Sequence, residues 1–157
     1  MTAGRVRLSL ATALVAVLAG CGQGSSQHAP RLSDLPLVPG AKIVAQVRVC
    51  DRGANAFCAL HLVIVDPRYK TSADLVEDEH VRLLAHGWSG ANADTGEQHA
   101  ADSPGHKLRV TYATAYGDLK GVDLGWIQRP RPITLALSRA LFDRASAMSV
   151  MLEIGSS

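Results

Sequence analysis

The chain has 157 residues, room for one core and an appendage. Its 16 Lys and Arg against 14 Asp and Glu leave a formal charge of +2, too small a bias to suggest a nucleic-acid partner. No apolar run reaches the roughly twenty residues of a membrane-spanning helix. Three cysteines cannot all pair within one small chain, so one has another task.

Met1 to Arg7 carries two arginines and no acid, and Leu8 to Ala19 is apolar apart from Ser9 and Thr12. A charged start, a short apolar core and small residues at its end form a secretory signal peptide, residues 1–20. Leu18-Ala19-Gly20-Cys21 then resembles the lipobox of bacterial lipoproteins, in which an aliphatic residue and two small ones precede the cysteine. The resemblance implies that Cys21 receives a diacylglyceryl group and becomes the first mature residue. The chain is then held at the cell membrane with its domain on the extracytoplasmic side. Two or more acyl chains anchor stably where one is marginal. Removal of Arg5 and Arg7 brings the mature chain to equal numbers of bases and acids, which together with the envelope location excludes nucleic acid as the expected partner.

Residues 21–36 comprise the lipidated Cys21 and a tether rich in Gly, Ser, Gln and Pro, with little to bury. Residues 37–157 form a single domain. Ile43, Ala45, Val47 and Val49 alternate with Val44, Gln46, Arg48 and Cys50, the period of a half-buried strand. A turn follows, and Phe57 to Val65 makes a second strand. Cys50 and Cys58 flank that turn and outside the cytoplasm are expected to pair. Their parity conflicts: Cys50 falls on the polar side of its strand while Cys58 shares the side of Leu60, Leu62 and Ile64, so a bulge or strong twist must intervene.

From Thr71 to His86 the period is helical, with Thr71 or Ser72 as cap, acids in the first turns and Gly87 as the stop. Val76, His80, Leu83 and Leu84 fall on one face, and Asp78, Glu79, Arg82 and His86 lie opposite. Trp88 to His106 is rich in turn signals, with a weak strand around each. Lys107 to Tyr116 alternates as a strand, and Gly117 to Arg131 reads as a long connection. A helix begins at Pro132 and stacks Ile133, Leu137, Ala140 and Leu141. Met148, Val150, Leu152 and Ile154 close the chain as an edge or closing strand. The order β-β-α-β-β-α-β gives an α+β domain, an antiparallel sheet with two helices on one face. "VPGA", the two cysteines across the first hairpin, an acidic helix ending "HGW", "DSPGHKLRVTYATA" and "DLGWIQRPRP" together resemble small uncharacterised actinobacterial lipoproteins. That resemblance implies no activity and no functional residue beyond Cys21.

The candidate chemistry is thin. "GWSGA" brings its second glycine one residue early for a Gly-x-Ser-x-Gly elbow and sits after a helix, the reverse of the elbow's context. Asp102, Ser103 and His106 read as a Ser-Pro-Gly turn, since a triad is assembled from distant segments. Asn92 to Gly96 lacks the glycine and glutamate spacing of a calcium loop. His80 and His86 are too far apart around a helix to share an ion, and a site from His99, His106 and a carboxylate lacks a complete ligand set. Glu77 and Glu79 read as helix N-terminal acids. No catalytic residue, metal or cofactor is therefore expected. The candidate contact for an envelope protein partner is the 117–131 connection, through Trp126, Arg129 and Arg131, residue types enriched at binding hot spots. Val122, Leu124 and Trp126 have another reading, as an extra strand or a plug of the sheet. The expectation is a non-catalytic envelope lipoprotein whose domain serves binding or structure. The alternatives are an anchored hydrolase or a small-ligand carrier with an enclosed apolar cavity.

Overall fold

The computed structural model describes residues 29–51, 57–90 and 97–154. Cys21 and the signal segment lie outside the described residues. The chain forms an α+β domain around a six-stranded antiparallel sheet. Its strands are β1 (Lys42–Cys50), β2 (Cys58–Val65), β3 (Ser89–Gly90), β4 (Gln98–Asp102), β5 (Leu108–Thr114) and β6 (Ala147–Ile154). The helices are α1 (Ser72–Ala85), α2 (Ala115–Asp123) and α3 (Arg131–Phe142). Across the sheet the order is β1-β2-β6-β5-β4-β3.

The class agrees with the sequence reading, but the layering differs. Leu60, Leu62 and Ile64 of β2 and Met148, Val150 and Leu152 of β6 bury one face of the sheet against Leu75, Val76 and Leu83 of α1. On the other face Val63 and Ala147 meet Ala115 of α2 and Ile133, Leu137 and Ala140 of α3. Helices therefore cover both faces rather than one. The reason lies in β2 and β6, whose residues of both parities are buried and mostly apolar, as strands covered on two sides require. The C-terminal strand is also not at an edge: β6 pairs with β2 and β5, and its alternation alone could not reveal its position. Truncating Leu152, fully buried there, would cost about 2–5 kcal/mol.

A bulge between Ile43 and Ala45 reconciles the first hairpin. It places Ile43 in the α1-side core and Ala45 and Val47 in the α3-side core. Downstream of it, Gln46, Arg48 and Cys50 face the same side as Leu62, Leu60 and Cys58, their cross-strand partners. Cys50 and Cys58 stand directly opposite with Cα atoms 4.1 Å apart and form a disulfide.

Thr71 caps α1 reciprocally. Asp74 N–H donates to Thr71 Oγ1 at 3.1 Å, and Thr71 N–H donates to Asp74 Oδ2 at 3.2 Å. The buried stripe of α1 is Leu75, Val76, Glu79 and Leu83, while Leu84 is exposed, so the face is rotated from the one the periodicity suggested. Glu79 holds a core position because its Oε2 accepts the Val38 N–H at 2.9 Å. Arg82 Nε donates to the Pro36 carbonyl at 3.0 Å, and Arg68 pairs with Asp66 and reaches the Pro39 carbonyl. These bonds strap residues before β1 across α1, and Leu32, Leu35, Leu37 and Val38 are buried or half-buried there. The Pro30 carbonyl accepts from Arg48 at 3.1 Å, so residues from Pro30 onward, read from composition as tether, pack on the domain.

The 117–131 stretch is not all connection: α2 begins at Ala115, ending β5 at Thr114, and runs into it as far as Asp123. Thr114 Oγ1 caps it by accepting the Gly117 N–H at 3.0 Å. Gly121 in its last turn lets Ile127 approach, since a Cβ there would stand 2.9 Å from Ile127 Cδ1 and push that side chain aside.

Candidate functional site

Between β1 and α3 runs an open groove of about 900 Å³, within the size range of ligand sites. Val44, Ala45 and Gln46 of β1 and Val65 of β2 form one wall. Pro132, Leu135, Ala136, Arg139 and Ala140 of α3 form the other, with Asp143 at its C-cap and Ala145 beyond it. The groove exists because α3 drives Ile133 and Leu137 down onto the middle of the sheet while the flank towards β1 carries small side chains. Four alanines, 45, 136, 140 and 145, leave unfilled the space that larger residues would occupy. Val44 and Leu135 stand exposed at its lips.

The groove borders an open sheet edge. Asp51 N–H donates to the Phe57 carbonyl at 2.8 Å, which makes that facing pair a hydrogen-bonded one and the next, Cys50 with Cys58, a non-bonded one. The 4.1 Å Cα separation of the cysteines agrees with that assignment. Stepping back along the register, Ala45, Val47 and Val49 direct their backbone groups to β2, whereas Gln46 and Arg48 direct theirs outward. Among the described residues no backbone hydrogen bond reaches that outer side.

The residues proposed from sequence fall apart in space. Trp126 is 75% exposed and so is no plug of the sheet. Arg131 is exposed at the start of α3. Arg129, grouped with them as a surface contact, is instead inside: its side chain is 5% exposed and its Nη2 bonds Asp118 Oδ1 at 2.9 Å, with Asp118 1% exposed. A guanidinium in the interior needs a carboxylate, and α2 supplies one. The other motifs resolve as structure. Ser103 Oγ accepts the Leu108 N–H at 2.9 Å and Gly105 takes φ of +76°, so Asp102 to His106 is a turn. Ser89 lies in the short edge strand β3. His86 caps α1 by contacting the Arg82 carbonyl at 2.8 Å. The stretch Asn92 to Gly96 lies outside the described residues.

Two polar groupings escaped the sequence reading. His80 Nδ1 lies 2.5 Å from the Tyr112 hydroxyl, and the His99 ring stacks on Tyr112 at 5.5 Å between centroids. Helix α1 and strands β4 and β5 supply these rings, a long-range convergence with no sequence spacing to announce it. On the opposite face, beside Asp118 and Arg129, are His61 and Ser149. His61 is held below its ordinary value by burial first and then by Arg129, with Asp118 opposing. His61 Nδ1 and Ser149 Oγ are both buried without a hydrogen-bond partner, so this Ser, His and Asp are not linked as a triad. All three are buried, Asp118 on α2 and His61 and Ser149 on the sheet face it covers. Among the described residues no group of three or more His, Cys, Asp or Glu could hold a metal ion, and no helix is long and apolar enough to cross a membrane. No family model matches the chain, and no curated protein or solved structure matches it either.

Proposed function

We propose that this chain is a lipoprotein of the cell envelope, anchored through lipid on Cys21, whose domain works by binding a protein partner in the groove between β1 and α3. The observation that carries the reading is the groove itself: about 900 Å³ of mostly apolar wall, open to solvent, beside a strand with outward-directed backbone. Apolar surface of that kind is costly to leave bare unless something covers it. A carrier that encloses a small ligand is served less well by a trough open along its length. The anchor rests on Leu18-Ala19-Gly20-Cys21 and the signal segment before it.

The test is site-directed photocrosslinking in intact cells. A photoreactive residue at Leu135, on the groove lip, yields a discrete adduct. The same residue at Val81, equally exposed but on α1 across the sheet, does not. Equal adducts from both positions, or none from Leu135, would refute the groove as the binding surface. Cys21→Ser is expected to leave an unprocessed precursor and to remove the acyl label.

A further inference from the structure

Resting on that reading of the groove, we infer that its occupant is an extended segment of the partner protein. The segment adds to the sheet as a seventh strand beside β1, with apolar side chains at every second position and acidic residues among the rest. Two separate features meet at one place and only this occupant uses both. The first is the outward-directed backbone at Gln46 and Arg48, a row of donors and acceptors that water satisfies and a strand would satisfy better. The second is the apolar trough alongside it, which can receive the side chains that point to the α3 side of an added strand. Because strand side chains alternate with a period of two, only every second residue of the segment enters the trough.

Charge sets the rest of the pattern. β1 carries Lys42 and Arg48 and no acid, and the groove adds Arg139 against a single carboxylate, Asp143. Of these, Arg48 faces away from the trough, beside its cross-strand partner Leu60, so a segment bearing Asp or Glu on that side is drawn to this edge and a basic one is repelled. The same charges, with the bulge at Ile43–Ala45, oppose indiscriminate pairing of the edge.

The experiment is selection from a displayed library of random nine-residue peptides against the mature chain held in phospholipid nanodiscs. The selected peptides are expected to alternate apolar with acidic or polar residues. Their affinity should fall at least tenfold on Gln46→Pro, which removes an outward donor while sparing the ladder to β2, and on Ala136→Phe, which fills the trough. Should Gln46→Pro fail to fold, the wild-type chain still decides the matter. N-methylating alternate amides of a selected peptide must abolish binding for one set of amides and leave it nearly unchanged for the other. Peptides with apolar residues at helical spacing, binding indifferent to both N-methylated sets, or an empty selection would each overturn strand addition. So would a dimer dissociated by Gln46→Pro, since the occupant would then be a second copy. If Leu135 still crosslinks while strand addition fails, the groove stands as the binding surface and only the mode of binding falls.

Discussion

Replacing Glu79 with Gln tests how the segment before β1 is held to the domain. The carboxyl is 1% exposed; Oε2 accepts the Val38 N–H, and Oε1 is buried without a hydrogen-bond partner. Burial pushes it up from an ordinary 4.5 to about 7, against the pull of the Val38 N–H and Arg82, with Asp78 adding to the rise. A carboxyl with a raised folded value holds its proton in the native state after the unfolded chain has lost it. Stability therefore falls as pH rises from about 4.5 to about 7, and the loss is complete above that. At 1.36 kcal/mol per unit the full effect is about 3 kcal/mol, of which about 2–3 kcal/mol develops between pH 5 and pH 8. Gln keeps an acceptor for Val38 and cannot ionise. Urea unfolding of both proteins at the two pH values isolates the effect, because other titrating groups are common to both. The expected result is that the benefit of Glu79→Gln, or the relief of its cost, is larger at pH 8 by that amount. An equal difference at both pH values would mean that Glu79 is solvated or otherwise paired, and the account of the strap would fail.

Removing either partner of the interior ion pair, by Asp118→Ala or Arg129→Ala, should destabilise by about 3–5 kcal/mol in chemical denaturation, since each leaves a buried charge alone. A loss under about 1 kcal/mol for Arg129→Ala would place that side chain at the surface after all. Trp126→Ala should cost less than about 1 kcal/mol, because most of the ring is already in water. A loss in the 3–5 kcal/mol range of a buried aromatic would show the ring to be core.

Local patterns were legible wherever one face of an element decides its sequence. The hairpin, the Thr71 cap of α1 and the Pro132 start of α3 all follow from neighbours a few residues apart. What depends on distant partners was not. Glu79 reads as an exposed helical acid until Val38, forty-one residues away, is seen to donate to it. Helix α2 is masked by Gly117 and Gly121, which lower helix propensity; Gly121 is there for the approach of Ile127, not for the helix. Arg129 among prolines looks like a surface loop because Asp118 sits on another element. The groove had no signature at all. Its alanines are good helix or strand fillers singly, and only the placement of α3 against β1 turns them into a trough.

The proposed anchor and the proposed use of the groove constrain each other. Pro30 is fastened to Arg48 of β1, so the described chain begins beside the edge strand. From Cys21 to Pro30 a fully extended chain spans at most about 30 Å. A lipid on Cys21, as proposed, would confine that side of the sheet to within about 30 Å of the bilayer, and the proposed partner segment would have to be presented at that height. An extended segment from a protein released into the medium or fixed deep in the wall would meet the edge only by chance. One that emerges from the membrane or a neighbouring lipoprotein is held at high effective concentration beside β1. Lengthening the tether with a flexible insertion after Gly24 should thus weaken the Leu135 adduct in cells while leaving peptide affinity in nanodiscs unchanged. An adduct indifferent to tether length would mean that the partner is not confined to the membrane surface.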